Sequence, residues 1–297
     1  MIMPTHIVAA AGVVENDKEE ILLVKTYQGG EGIKVVLNKR QIINFLILTF
    51  LLTFSLRGII IIANQFGFFK FGTPFGMLLF VIGSMSPAIV SFVCLKKSGL
   101  ISSFKEFIKT AFDIRQKPVH YLLVLAFLAI EYIFSALFLG KKSDAAWYMV
   151  FLLFVPCIAD GGLEELGWRY VLQPTLEKKF TFFVATSITA FIWALWHVPQ
   201  FFIEGSGQSN MSSFGVFLIM VFGASFMLAT IYHISKSIWL CIMCHASFNA
   251  LSFYWPIVQD FSLTLATTVC LIVISVILVY LYDRTRENED NKESYTT

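Results

Sequence analysis

Glu164 and Glu165 stand side by side, and Arg169 follows four residues after Glu165, in the stretch IADGGLEELGWRYVLQP. Two other stretches carry comparable groups: FIWALWHVPQFF holds His197, and CIMCHASFNAL holds His245 with Asn249 four residues on. Residues four apart share one face of a helix, so Glu165 can pair with Arg169, and His245 can work beside Asn249. Glu164 lies about 100° round the helix from Glu165 and must point elsewhere. The set thus contains one neutralised acid, one free acid, two imidazoles and an amide. Those are the parts needed to activate water: a carboxylate as general base, imidazoles to orient it or carry protons, and an amide to hold an oxyanion. The competing reading leaves both acids solvated at an aqueous interface and the histidines as separate accidents.

The chain around these groups is 57 % hydrophobic and 14 % charged, with 31 phenylalanines in 297 residues and a mean hydropathy of +0.74. A soluble domain has about a quarter charged residues, so this composition belongs to a bilayer protein. A charge near the bilayer centre costs about 2.5–3.5 kcal/mol on insertion scales, and each such group needs a partner or a use. A net charge of +2 is too small for a nucleic-acid surface. The five cysteines, Cys94, Cys157, Cys241, Cys244 and Cys270, fall in or beside apolar runs. They read as reduced packing residues, the Cys241/Cys244 spacing included.

The elements that must position the polar groups are helices. Hydropathy predicts an all-α polytopic membrane protein with about eight transmembrane helices, over residues 41–63, 74–95, 119–140, 147–171, 181–203, 214–233, 236–254 and 262–282. The spans from 147 and from 236 are interrupted by polar groups. Glu164 falls late in a descending span and His197 late in the next, ascending one, so the two differ in depth unless tilt and a break at Gly161-Gly162 close the gap. The loop after the second span contains FKEFIKTAF, an amphipathic interfacial helix. Lysine and arginine concentrate in alternate loops, from Lys18–Arg40 through Lys96–Lys117 and Lys178–Lys179 to Lys236 and Arg284–Lys292. With an even span count that bias puts both termini in the cytoplasm. No cleavable signal peptide is expected.

Three segments follow: an N-terminal cytoplasmic extension over 1–39, the membrane domain over 40–284, and a disordered cytoplasmic tail over 285–297. The extension reads as a short β-hairpin around ENDKEE. HIVAAAGVVENDKEEILLVKT resembles the opening strands of Nudix hydrolases, but the acidic box that would hold their metal is absent, and no Nudix chemistry is expected.

EELGWR, WALWH and HASFN together resemble the CPBP family, the CAAX-protease and bacteriocin-processing membrane endopeptidases, also called Abi or type II CAAX prenyl endopeptidases. Glu164, Glu165 and Arg169 match that family's Glu-Glu-x-x-x-Arg element. His197 matches Phe-x-x-x-His with Trp193 at the phenylalanine position, a change expected to alter pocket shape more than chemistry. His245 and Asn249 match His-x-x-x-Asn. The resemblance runs from about residue 40 onward and is densest over 146–250. It implies an intramembrane peptide-bond hydrolase whose site opens to the cytoplasmic side and whose substrate is a lipidated or otherwise hydrophobic peptide cleaved near its C-terminus. That peptide is a CAAX-type terminus or a bacteriocin or peptide-signal precursor, with self-immunity as one biological outcome. Glu164 would activate water with help from His197, His245 and Asn249 would stabilise the oxyanion, and Glu165 with Arg169 would brace the site.

Members of the family are often labelled metalloproteases, and Glu164, His197 and His245 are a possible zinc set. The His-Glu-x-x-His spacing is missing, and a metal-independent glutamate mechanism needing no cofactor is the favoured alternative. The non-enzymatic alternative is an immunity factor or transporter with a polar cavity. A transporter should carry matching interrupted repeats, and none is found. Elsewhere, Arg57 and Glu131 lie mid-span and are expected to form a structural ion pair, the alternative being that Glu131 contacts substrate. Asp160 is expected to cap the helical segment bearing Glu164.

Overall fold

The computed structural model describes residues 36–139, 144–211, 213–255 and 259–294, together with 14–15 and 21–22. Two compact units are distinguished, residues 1–33 and 34–297. In the first, β1 (Val14–Glu15) and β2 (Ile21–Leu22) pair antiparallel, Val14 with Leu22 and Glu15 with Ile21. The rest of the expected hairpin extension, and with it the Nudix-like stretch, lies outside the described residues.

The second unit is helical. Its elements are α1 (Lys39–Gln65), α2 (Pro74–Ser84), α3 (Ser86–Lys97), α4 (Phe104–Ala111), α5 (Pro118–Leu139), α6 (Met149–Ala159), α7 (Glu165–Gly167), α8 (Gln173–Glu177), α9 (Phe182–Trp196), α10 (Phe214–Ser235), α11 (Ile238–Ser252) and α12 (Phe261–Ser294). Local sequence starts several of them. Asn38 accepts the Gln41 N–H and Gln41 returns its side-chain oxygen to the Asn38 N–H, both at 2.9 Å, a capping box for α1. Thr73, Ser103, Thr181, Ser213 and Ser237 cap α2, α4, α9, α10 and α11 in the same way.

The core of the bundle is mostly apolar, but α1 buries a mixed stripe. Phe45, Thr49, Thr53, Arg57 and Ile60 recur at helical spacing and form the buried stripe of α1, while Ile47, Leu51, Ile59 and Ile62 face outward. Apolar side chains turned outward are what a hydrocarbon solvent selects. Inside, α10 packs on α12 and α11 on α6. Gly223 lets α12 approach closely: a methyl group there would come within 3.1 Å of Leu271 and Thr268. Thr268 also donates to the Ile219 carbonyl at 3.0 Å.

The span count differs from the expected eight. Among the described residues four helices are long and apolar enough to cross a membrane: Lys39–Gln65, Phe182–Phe202, Phe214–Ser235 and Phe261–Glu289. A fifth is added if α2 and α3, bent by 45°, count as one span; Pro87 opens α3. Pro118–Ile133 and Ile238–Ser252 are shorter apolar helices. The expected span over 147–171 is not one helix. Pro156 sits inside α6, which stops at Ala159, and the chain turns at Gly161 with φ +129°. It then resumes as a 3₁₀ turn (Gly162–Glu164), α7 and a π-helical turn (Trp168–Leu172). Hydropathy sees an apolar run of the right length but not the backbone break inside it. The C-terminus differs too: α12 stays helical to Ser294, past residue 285 where a disordered tail was expected. Extending an existing helix needs no new nucleus, and Arg284 lies over the ring of Tyr280 one turn earlier, 5.8 Å from its centroid.

Candidate active site

The break after α6 makes the site. Because the chain is interrupted at Gly161, the 3₁₀ turn and α7 lie against α11 rather than continuing along α6. A side chain at Gly161 would meet Asn249 Nδ2 at 2.3 Å and His245 Nε2 at 3.1 Å. Glycine is therefore required twice there, for its φ and for the space. No side-chain cap starts the 3₁₀ turn. The cap that sequence predicts from Asp160 is not formed; its backbone carbonyl accepts instead from Asn249 Nδ2 at 3.0 Å.

Glu165 and Arg169 pair at 3.1 Å, and neither side chain is exposed. Arg169 also donates to Ser225 Oγ on α10 at 3.1 Å, and its guanidinium lies 4.4 Å from the ring centroid of Trp193 on α9. Oε1 of Glu165 accepts from both Arg169 Nη1, at 3.2 Å, and His245 Nδ1, at 2.8 Å. One carboxylate thus ties together the broken segment and α11. A carboxylate only accepts, so His245 carries its proton on Nδ1 and presents Nε2 toward Gly161 and Asn249.

Glu164 turns the other way, as the 100° offset requires. Its Oε2 accepts from Trp193 Nε1 at 2.7 Å and from Trp168 Nε1 at 3.4 Å, while Oε1 has no hydrogen bond among the described residues. His197 follows α9 as its C-cap. Its Nδ1 donates to the Trp193 carbonyl at 2.8 Å, and Nε2 is left to accept. The His197 ring lies edge-on to Trp193 and Trp196, at 5.8 and 4.7 Å between centroids, and that of His245 lies edge-on to Trp193 at 5.4 Å. Glu164, His197 and His245 are each less than 10 % exposed.

All six residues singled out by sequence belong to this one neighbourhood, and Trp193 joins its two halves. Sequence reasoning gave Trp193 the part of a changed phenylalanine and gave Trp168 no part at all; the signal available was that each carries an indole N–H within one turn of a motif residue. The Arg57–Glu131 pair is not formed. Arg57 Nη1 instead donates to the Trp196 carbonyl at 3.1 Å, and its guanidinium lies 4.2 Å from the Trp196 ring centroid and 5.5 Å from that of Phe80. Its attractive electrostatic partners are Glu164 and then Asp160. α1 faces α2, α3 and the end of α9, whereas α5, which bears Glu131, packs on α10, α11 and α12. The cysteines are free, as expected. Among the described residues no three His, Cys, Asp or Glu side chains are grouped as metal ligands.

Comparison with known proteins agrees with this arrangement. Residues 142–251, which contain all six motif residues together with Trp168 and Trp193, match the model of the "Type II CAAX prenyl endopeptidase Rce1-like" family. The chain is also 27 % identical over 226 residues to CAAX prenyl protease 2 of Methanococcus maripaludis, an alignment covering 69 % of this chain and 82 % of the relative. The motif residues assembled inside this apolar bundle lie in the stretch over which the chain is similar to CAAX-type membrane proteases.

Proposed function

We propose that the protein is an intramembrane endopeptidase that hydrolyses hydrophobic or lipidated peptides near their C-terminus, with Glu164 as the base. The observation that supports this most directly is the asymmetry of Glu164: indole N–H groups occupy Oε2, while Oε1 has no donor among the described residues. Water lies against Oε1 and gives it a proton as its oxygen attacks the scissile carbonyl. His197 Nε2 orients that water by accepting its second hydrogen. In its doubly protonated form His245 keeps Nδ1–H on Glu165 and donates Nε2–H to the oxyanion. The Asn249 hydrogen not used on Asp160 is the second donor. As the C–N bond breaks, Glu164 returns its proton to the leaving nitrogen, and a carboxylic acid and an amine result. Glu165 and Arg169 hold His245 in place.

The names of the matching family and relative support a prenylated peptide as substrate; a bacteriocin or peptide-signal precursor would undergo the same reaction. The lysine and arginine bias of the loops supports a site open to the cytoplasm, and an even number of spans would put both termini on that side. The test is cleavage of a farnesylated C-terminal peptide by the purified protein in liposomes, read by mass spectrometry. Glu164→Gln should lose at least about 100-fold in rate, within the range for removing a general base, while inserting and folding normally. A folded Glu164→Gln protein that cleaves at the wild-type rate would return the site to a binding cavity.

A further inference from the structure

Trp193 occupies the position where the family pattern has phenylalanine, and the difference is an N–H group. That N–H makes the 2.7 Å bond to Glu164 Oε2, which no phenylalanine can form. We propose that Trp193 is a positioning residue for the reaction: its indole holds one oxygen of Glu164 so that the other faces water. The inference rests on Glu164 being the base.

The indole is itself held on several sides. The Arg169 guanidinium covers one face at 4.4 Å and is locked by Glu165 and Ser225, each at 3.1 Å. The edge-to-face contact with His245 limits rotation on another side, and Trp193 is 4 % exposed. A rotamer change would break the guanidinium stack, the imidazole contact and the carboxylate bond together. Trp168 reaches the same oxygen at 3.4 Å, beyond the usual N–H···O range, so Trp193 carries most of the restraint. Without it the Glu164 side chain can rotate and spread over orientations in which neither oxygen lines up with water and carbonyl. A buried indole usually finds some acceptor simply to satisfy its N–H. The acceptor here, however, is the one acid left free by the Glu165–Arg169–His245 cluster.

The experiment compares Trp193→Phe, Trp193→Gln and Trp168→Phe with wild type on the farnesylated peptide. Trp193→Phe keeps an aromatic ring under Arg169 and removes the donor. Its kcat should fall about 10- to 100-fold, the range for a hydrogen bond to a charged group, with KM within about twofold because substrate contacts are untouched. Trp193→Gln places an amide nitrogen the same number of bonds from Cα as the indole nitrogen, and should recover kcat several-fold over the Phe variant. Trp168→Phe should cost less than Trp193→Phe. A Phe variant at full kcat, a loss confined to KM, or a Gln variant worse than Phe overturns the proposal. Failure of both Trp193 variants to fold makes the residue a packing element and overturns it as well. If Trp193→Phe is normal while Glu164→Gln is dead, only this inference falls; if Glu164→Gln is active, the function falls first.

Discussion

The molecule buries two arginines, each on the face of an α9 tryptophan, and treats them in opposite ways. Arg169 lies on Trp193 with a carboxylate and a hydroxyl to bond. Arg57 lies on Trp196 with one backbone carbonyl, and among the described residues its Nε and Nη2 both lack a hydrogen-bond partner, against Nε alone for Arg169. A cation taken out of water costs several kcal/mol, which an ion pair offsets only when its geometry is good. Arg169 meets that condition and braces the broken segment against α10 and α11. Arg57 does not, and its charge is left to act on Glu164 and Asp160. A closed pair is a structural part, whereas an open cation is a field directed at its neighbours.

The largest effect that would test this contrast is expected from Arg169→Met. It strands Glu165 without its cation and should destabilise the protein by about 3–5 kcal/mol, read as a lowered melting temperature in detergent. Adding Glu165→Leu should restore much of that loss, since replacing a whole buried pair by apolar groups is often neutral. If the single variant melts like wild type, the brace is not a brace. Arg57→Met should behave in reverse. No carboxylate loses a salt-bridge partner, so stability should change by about 1 kcal/mol or less, while kcat/KM falls about tenfold, equivalent to about 1.4 kcal/mol, as Glu164 loses a favourable charge. A large loss of stability with unchanged catalysis would make the two arginines alike. The smallest change is expected from Trp196→Phe. It keeps a ring beneath Arg57 but removes the 2.7 Å bond from the indole to Thr53 Oγ1, for about 1 kcal/mol by thermal melting and little effect on catalysis.

These expectations separate what was legible in advance from what was not. The Glu165–Arg169 pair was readable because four residues on one helical segment is a local relation, and it survives even where that segment tightens and widens through 3₁₀ and π turns. Arg57 was misassigned to Glu131 because both were read as mid-span, and depth says nothing about which way a helix faces. The eight spans failed for a related reason. Hydropathy averages over a window, so it cannot register one glycine at φ +129° turning 147–171 into a helix, a break and a second segment.

By itself the sequence determined the solvent of the chain, the faces shared at four-residue spacing and the motif residues that could activate water. All of these depend on neighbours within a turn or two. Only the tertiary structure decided that Trp193 bonds Glu164 across 29 positions, that His245 reaches Glu165 across 80, and that Arg57 meets the Trp196 carbonyl across 139. Each of those contacts requires a particular rotation and tilt of two separate helices. Rotation and tilt are fixed by packing over the whole bundle, not by any window of residues.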